Sequence, residues 1–245
     1  MAAVLAGKVA LVTGGAIRVG RAIVLALAEA GCEVVIHYGS SAGPAEETAA
    51  EAAAFGVQVH TMRADLARQD DTEALVPAAV RAAGRIDILV NNAAIFEEGG
   101  LADANAPQWE RELAINLRAP FFLSQAFVRQ LPAGREGQIV NITDARVLCA
   151  GSDHLIYRLT KSGLVTLTRA LALELAPQVR VNAVALGAIL PPPGEDESYL
   201  QQLAQERVPL RRPGSAELVA ANVLHLLQQP FLTGVVLPLD GGEFL

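Results

Sequence analysis

Aromatic residues and cysteines are scarce in this chain of 245 residues. Aromatic side chains make up 4% of the sequence, and the two cysteines, Cys32 and Cys149, stand far apart and form no motif. Two isolated thiols argue against a disulfide framework and against a cysteine-based metal centre. A reducing compartment is the simplest setting for such a chain, so we expect a cytoplasmic protein.

Long apolar runs and an excess of basic residues are also missing. No run reaches the length of a membrane span, and the first residues lack the basic region and apolar stretch of a signal peptide. The 19 lysines and arginines are outnumbered by 26 acidic residues, which gives a net charge of −7 and argues against a nucleic-acid surface. The four histidines show no metal-ligand spacing. We therefore expect a small-molecule substrate, and no membrane, nucleic-acid or metal partner.

Short apolar segments that alternate with amphipathic ones fill most of the chain. Apolar, β-branched runs predict strands at 8–13, 33–38, 57–62, 86–90, 138–142, 179–184 and 235–239. Helical spacing predicts helices at 19–30, 44–55, 70–83, 107–131 (one long helix or two joined), about 152–176 and 215–228. Strands that alternate with helices run parallel and are joined by right-handed crossovers. We predict an α/β fold, a Rossmann-like, doubly wound, mostly parallel sheet of seven strands with helices on both faces, and a single domain over 1–245.

A glycine-rich turn joins the first predicted strand to the first predicted helix. Residues 13–20 read Thr-Gly-Gly-Ala-Ile-Arg-Val-Gly, in which Gly14 permits a tight turn and Gly20 permits close packing of helix on strand. The amide groups at such a helix N-terminus can hold a pyrophosphate, and Arg18 adds a cation near the phosphates or the substrate mouth. The alternative is an ordinary strand–helix turn, but the position between strand and helix favours dinucleotide binding.

The end of the second predicted strand indicates which dinucleotide binds. An acidic residue there would bind the ribose hydroxyls of NAD, whereas the sequence is His37-Tyr38-Gly39-Ser40-Ser41, without an acid. Hydroxyl groups, backbone amides and the His37 imidazole suit a 2′-phosphate, with help from Arg18. We therefore predict NADPH as the cofactor; the alternative is that these are turn residues with weak selectivity.

Tyr157 and Lys161 lie four residues apart, so in a helix both side chains share a face. An ammonium group beside a phenol favours the phenolate, so we expect Lys161 to lower the pKa of Tyr157 and to make it a general acid at neutral pH. Asp144 follows the fifth predicted strand, at the edge where open α/β sheets place their chemistry. The alternative is that Tyr157 and Lys161 form a solvated helix face.

In their order along the chain, these motifs resemble those of the short-chain dehydrogenase/reductase family. The matching pieces are Thr13-Gly14 to Gly20, Asp65-Leu66, Asn91-Asn92-Ala93, Asn116, Tyr157-x-x-x-Lys161, Arg180-Val-Asn182 and Asp240-Gly-Gly242. The resemblance implies an NAD(P)-dependent oxidoreductase in which Tyr157 donates a proton, Lys161 holds the nicotinamide ribose and Asn116 anchors a relay water. It also places Asp65 near the adenine. Together with the turn residues, the implied cofactor-binding set is Gly14, Arg18, Val19, Gly20, His37, Tyr38, Ser40, Ser41, Asp65, Leu66, Asn92, Ala93, Tyr157, Lys161, Gly187 and Ile189.

Two departures from the family pattern bear on the substrate. Asp144 stands thirteen residues before Tyr157, where most members carry serine, and Leu186-Gly187 replaces the usual Pro-Gly after the sixth strand. An aspartate there, with Arg18 in the glycine turn and Phe96 after the fourth strand, resembles the pteridine reductase branch. The resemblance implies that Phe96 stacks on a pterin and that Asp144 and Tyr157 together support protonation of its ring. The predicted substrate-binding residues are therefore Arg18, Phe96, Asp144 and Tyr157.

We predict an NADPH-dependent reductase of a pterin or dihydropterin, with Asp144, Tyr157, Lys161 and Asn116 as catalytic residues. Phe96 could instead be a core residue and Asp144 a capping carboxylate. Alternative functions are an ordinary carbonyl reductase, for example of 3-oxoacyl thioesters, and a non-catalytic NADP-binding sensor. The family resemblance also implies a homotetramer. The proline-rich segment 190–197 is expected to begin a lid over the substrate.

Overall fold

Seven parallel strands form one sheet. In the computed structural model, which describes residues 5–192 and 194–245, they lie in the order β3-β2-β1-β4-β5-β6-β7. Every neighbouring pair is parallel. The predicted doubly wound sheet is confirmed, and in the described residues it is parallel throughout rather than mostly parallel. The strands are β1 Val9–Val12, β2 Glu33–Tyr38, β3 Val59–Arg63, β4 Ile88–Asn91, β5 Gly137–Asp144, β6 Val179–Leu186 and β7 Val236–Leu239.

Helices cover both faces of the sheet because the strands supply apolar side chains to each face in alternation. Val12 of β1 belongs to one buried core, and its neighbour Leu11 belongs to the other. The first core is closed by α1 (Arg18–Glu29), α2 (Ala42–Ala53) and α8 (Ala216–Gln228), and the second by α3 (Gln69–Ala83), α5 (Ala119–Gln130) and α6 (Leu155–Leu175). In the part of the chain that is described, no helix is long and apolar enough to cross a membrane.

The helix predicted at 107–131 is interrupted by a π-helical turn. Helix α4 (Ala106–Leu113) is followed by the π turn Ala114–Arg118 and then by α5. The apolar pattern does not reveal the turn because it spans only five residues between two helices. The turn carries the fully buried Asn116, and such turns occur often at functional sites.

One helix, α7 (Glu197–Arg207), is absent from the predicted elements. Its apolar signal is weak, since Leu200 and Ala204 are its only buried side chains. Its start is set by the Asp196 carboxylate, which accepts hydrogen bonds from two backbone N–H groups of the first turn.

Strands β5 and β6 extend further than predicted, and both end at the candidate site. Asp144 of β5 is in register with Leu186 of β6. The segment predicted to begin a lid, 190–197, lies between β6 and α7, and its residues Leu190 and Pro192 line the cavity that the strand ends surround. Pro193 lies outside the described residues.

Candidate active site at the carboxyl ends of the strands

A cavity of about 910 Å³ opens at the carboxyl ends of the strands. The connections diverge there on either side of β1, which is the crevice where doubly wound sheets bind ligands. Every predicted site residue except Asn116 lines this cavity, and so do residues outside the predicted set, among them Arg146, His154 and Glu243. Within the described ranges, no group of His, Cys, Asp or Glu side chains is arranged to hold a metal ion.

The glycine turn has the shape that a pyrophosphate needs. Gly14 has a φ of +61°, which favours glycine, and a Cβ at Gly20 would collide with the carbonyl oxygen of Gly14. The N–H groups of the first turn of any helix have no partner inside the helix. Among the described residues no N-cap side chain binds those of α1, so they are available to a ligand. Arg18, Val19 and Gly20 line the cavity. The residues present therefore fit a dinucleotide whose phosphates lie at the N-terminus of α1.

Arg18 reaches across the mouth of the cavity. Its Nη2 donates a hydrogen bond to the carbonyl oxygen of Pro191 at 2.7 Å. The predicted cation is therefore at the mouth, where it joins the glycine turn to the segment that follows β6.

The imidazole of His37, which is predicted to suit a 2′-phosphate, is hydrogen-bonded within the protein through both of its nitrogens. The imidazole is buried, its Nδ1 accepts a hydrogen bond from the Gly14 N–H at 3.1 Å, and its Nε2 is 3.1 Å from the Ala64 carbonyl oxygen. Because a carbonyl only accepts, Nε2 carries the proton and the ring is neutral. Burial lowers the pKa of His37, which keeps it neutral. His37 thus fixes the position of the glycine turn through its hydrogen bond with Gly14.

Asn92 is a second brace of the same turn. Its side-chain amide donates to the carbonyl oxygens of Thr13 at 2.8 Å and Gly14 at 3.1 Å. The Thr13 hydroxyl accepts from the N–H groups of Asn92 at 2.9 Å and Ala93 at 3.0 Å. These hydrogen bonds join the segment after β1 to the segment after β4, at the point where the phosphates would approach.

A cation beside the end of β2 comes from β3, and sequence reasoning missed it. Arg63 is in register with Tyr38, and its Nε donates to the carbonyl oxygen of Gly39 at 3.3 Å. The hydroxyl of Ser41, at the N-terminus of α2, makes no capping hydrogen bond. The predicted doubly wound fold could have revealed it, because in that strand order the last residue of the third strand lies beside the end of the second.

Asp65 also lines the cavity, where the resemblance places the adenine. Its Oδ1 accepts a hydrogen bond from the Ala67 N–H at 3.0 Å, and its own N–H donates to Asp71 Oδ2 at 3.0 Å. These bonds fix the carboxylate at the rim between β3 and α3.

The structure brings Asp144, Tyr157 and Lys161 together. The Tyr157 hydroxyl donates a hydrogen bond to Asp144 Oδ2 at 3.1 Å, and Asp144 Oδ1 accepts from the Arg146 N–H at 2.8 Å. Asp144 is therefore both a capping carboxylate and a partner of the phenol. Lys161 Nζ donates to the Ile142 carbonyl oxygen at 2.9 Å and lies 5.6 Å from the centroid of the Tyr157 ring.

The expected effect of Lys161 on the pKa of Tyr157 is wrong for the protein alone. Burial raises the pKa of Tyr157 well above its ordinary value, and the charge and hydrogen bond of Asp144 raise it further. Burial also lowers the pKa of Lys161 to about 8. Burial and the carboxylate that touches the phenol both raise the pKa of Tyr157, whereas the Lys161 ammonium is bound to a carbonyl oxygen. Tyr157 is consequently a firmly protonated phenol.

Phe96 forms a wall of the cavity rather than part of the core. It is half-buried; its ring stacks on His154 with centroids 4.0 Å apart and meets Tyr157 edge-on at 4.8 Å. The buried Asn116 side chain holds the segment that carries Phe96, since it bonds both the N–H and the C=O of Ile95 at 2.9 Å. The role of Asn116 as a water anchor stays a prediction.

Residues that follow the last strand, β7, complete the far side of the cavity. Glu243 lines it, and its Oε2 accepts a hydrogen bond from the Ala188 N–H at 3.1 Å. Burial raises the pKa of Glu243. A Cβ on Gly187 would press against Asp240, so this glycine permits the segment after β6 to approach the one after β7. Sequence spacing could not predict the contact, because it joins segments more than 50 residues apart.

A parallel doubly wound sheet with a glycine turn at its crevice and a buried Tyr–Lys pair beside it is the architecture of dinucleotide-dependent oxidoreductases. A family model described as enoyl-(acyl carrier protein) reductase matches residues 15–243. The chain therefore belongs to the short-chain dehydrogenase/reductase family and is an oxidoreductase.

The chain is similar to relatives with different named activities. The 3-oxoacyl-[acyl-carrier-protein] reductase FabG of Aquifex aeolicus is 36% identical over 98% of both chains. The crystal structure of FolM alternative dihydrofolate reductase 1 from Brucella canis, complexed with NADP, is 34% identical with a TM-score of 0.93 and covers 98% of this chain and 95% of that one. A short-chain dehydrogenase/reductase from Serratia marcescens has a TM-score of 0.91 at 34% identity, covering 98% and 99%. The FolM similarity fits the predicted pteridine reductase-like branch, and the NADP complex supports NADP(H) binding.

Proposed function

We propose that the protein is an NADPH-dependent reductase of a pterin or dihydropterin, built as a single NADP-binding domain over residues 1–245. The observation that carries the proposal is the hydrogen bond from Tyr157 to Asp144, beside the half-buried ring of Phe96. A pterin presents N–H groups on its ring and on its amino group, and a carboxylate can accept hydrogen bonds from them. Its flat ring also gains from an aromatic face, by about 0.5–1.5 kcal/mol beyond burial.

Some residues at the cavity would hold the cofactor, and others would protonate the substrate. A bound nicotinamide cofactor supplies the hydride. The turn from Gly14 to Gly20 holds its phosphates, and Tyr157 donates the proton. A substrate amino group that donates to Asp144 would weaken the negative charge that keeps the phenol protonated. Substrate binding would thereby lower the pKa of Tyr157 when proton transfer is needed.

The choice of NADPH over NADH is part of this proposal. The end of β2 carries no acid, and the hydroxyls of Ser40 and Ser41 line the cavity. The guanidinium of Arg63 lies beside them through its bond to Gly39. Solved relatives complexed with NADP support the same choice.

An ordinary carbonyl reductase is the second candidate, favoured by the 36% identity to a 3-oxoacyl-[acyl-carrier-protein] reductase. The two candidates separate at Asp144. If the protein reduces pterins, Asp144→Ser should abolish that turnover; if it reduces ketones, the added hydroxyl should improve ketone turnover, because a neutral donor can hold a carbonyl oxygen. Initial rates of NADPH oxidation with both substrate types decide between them.

The direct test is a spectrophotometric screen of NADPH oxidation against dihydrobiopterin, dihydrofolate and a panel of ketones. Tyr157→Phe is the control, since it removes the proton donor and leaves the phosphate turn intact. NADPH binding without oxidation of any compound would instead support the non-catalytic sensor, which the meeting of Asp144, Tyr157 and Lys161 in one cavity opposes.

We further propose that the protein is a cytoplasmic homotetramer, as the family resemblance implies. Light scattering coupled to gel filtration measures the assembly directly, and a monomer would contradict this part of the proposal alone.

A further inference from the structure

Arg146 is a cation at the cavity to which neither sequence reasoning nor the proposed mechanism gives a role. It lies on the 3₁₀ turn Ala145–Leu148, two residues after Asp144, and it lines the cavity. Its Cζ is 5.2 Å from the centroid of the Phe96 ring. Its side chain is only 22% exposed, so the guanidinium is largely enclosed beside the proposed substrate platform.

The acidic side chain paired with Arg146 is shared with a second arginine. The acid paired with it, Asp153, is 3.6 Å away (Oδ2 to Nε), which is too long for a hydrogen bond. Asp153 is also bound by Arg158, whose Nε and Nη2 donate to its Oδ1 at 3.0 and 2.6 Å. One carboxylate thus serves two guanidinium groups, and it occupies none of the N–H donors of Arg146.

The donors of Arg146 are also unused. Among the described residues, its guanidinium makes no hydrogen bond, although its backbone N–H and C=O both do. An enclosed guanidinium presents five N–H donors in a planar fork that matches a carboxylate. The other charged groups at this part of the cavity are already engaged, since Asp144 accepts from Tyr157 and Glu243 accepts from Ala188.

We infer that Arg146 is a specificity-determining residue that binds a carboxylate on the substrate, next to the ring that Phe96 receives. The identity of that ring rests on the proposed function, whereas the preference for an anion rests on Arg146 itself. Because the unused N–H donors of Arg146 lie at the cavity beside Phe96, Arg146 also determines which way a carboxylate-bearing substrate lies. Such a substrate carries an acidic tail, and an otherwise identical compound without the carboxylate should bind more weakly.

Matched pairs of compounds test this inference. One pair is dihydrofolate and a dihydropterin without the carboxylate tail, and the other is acetoacetate and its neutral ethyl ester. For each pair we compare kcat/KM, and equilibrium binding to the NADP-saturated protein, in wild type, Arg146→Gln and Arg146→Lys. Arg21→Gln is the control, because it removes an exposed arginine that pairs with Glu51 outside the cavity.

Arg146→Gln should reduce the preference for the carboxylate member by about 10-fold or more, mainly through KM, because a charge-assisted pair is lost. Arg146→Lys should recover part of it, and Arg21→Gln should leave the ratio unchanged. Equal losses for both members, or a loss in kcat alone, would mean that Arg146 acts through Tyr157 and would overturn the inference. No preference in the wild type would do the same. If neither pterin is reduced, the proposed function fails, while the ketone pair and the binding ratios still decide the role of Arg146.

Discussion

At the scale of single residues, the environment of Tyr157 could be predicted in part. The spacing of Tyr157 and Lys161 predicts that they share a helix face, and the family resemblance implies that Asp144 joins them. The spacing could not predict the direction of the pKa shift, because that depends on the 3.1 Å contact with Asp144 and on burial. The pairing of Lys161 with the Ile142 carbonyl is equally invisible in a sequence.

The phenol therefore offers a direct spectroscopic test. Since Asp144 raises the pKa of Tyr157, Asp144→Asn should let Tyr157 ionise at a lower pH than in the wild type. Ultraviolet titration measures tyrosinate, and with three tyrosines in the chain the contribution of Tyr157 is the difference from the same protein carrying Tyr157→Phe. An unchanged ionisation pH in Asp144→Asn would show that the carboxylate does not control the phenol.

At the scale of elements, the sequence predicts strands more fully than helices. Among the described residues, five of the strands are mostly buried, whereas α7 has few buried side chains and the π turn is only five residues long. Contacts between strand ends depend on the order of the strands in the sheet. The position of Arg63 next to the end of β2 could therefore be recognised only once β3 was known to lie beside β2. The bracing role of His37 depends on the positions of Gly14 and Ala64, which are both distant in sequence.

Arg63 provides a test of cofactor choice at the edge of β3. Arg63→Ala should raise the KM for NADPH about 10-fold and change the KM for NADH little, because in the proposed complex this cation would pair with the 2′-phosphate, which NADH lacks. Steady-state kinetics with both cofactors measures this, and the exposed Arg129→Ala on α5 is the matched control. A similar increase for NADH would indicate that the loop after β2 has moved instead.

His37 makes the stability of the glycine turn depend on pH. Its pKa is lowered in the folded protein, so the unfolded chain takes up a proton first as pH falls through about 6.5. The unfolded state then binds more protons, and stability decreases with acidification. Melting temperatures between about pH 7.5 and 5 should therefore fall more steeply in wild type than in His37→Gln. Parallel curves would contradict this assignment.

At the scale of the whole molecule, the site collects residues from Gly14 to Phe244. The alternation of strands and helices predicted this gathering, because parallel strands bring their carboxyl ends to one edge. It could not predict that the segment after β7 reaches the segment after β6, since no local pattern encodes that contact. The substrate side of the cavity is accordingly less predictable than the phosphate side.

Because the cavity needs the complete sheet, cofactor binding should stabilise the molecule as a unit. At 100 times its dissociation constant, NADPH should add about 2.7 kcal/mol to the free energy of unfolding, which corresponds to a rise in Tm of about 5 °C or more. Thermal unfolding with NADPH, with NADH and without cofactor measures the effect. A second transition that does not respond to NADPH would show that part of the sheet unfolds independently.

The interior position of β1 bears on how the chain is made. During synthesis β1 can pair with β2 early, but its other edge has no partner until β4 has emerged from the ribosome. An apolar strand with one open edge invites association with other nascent chains. The dinucleotide offers no protection at that stage, because Asn92, which fastens the glycine turn, has not yet been translated when β1 first forms.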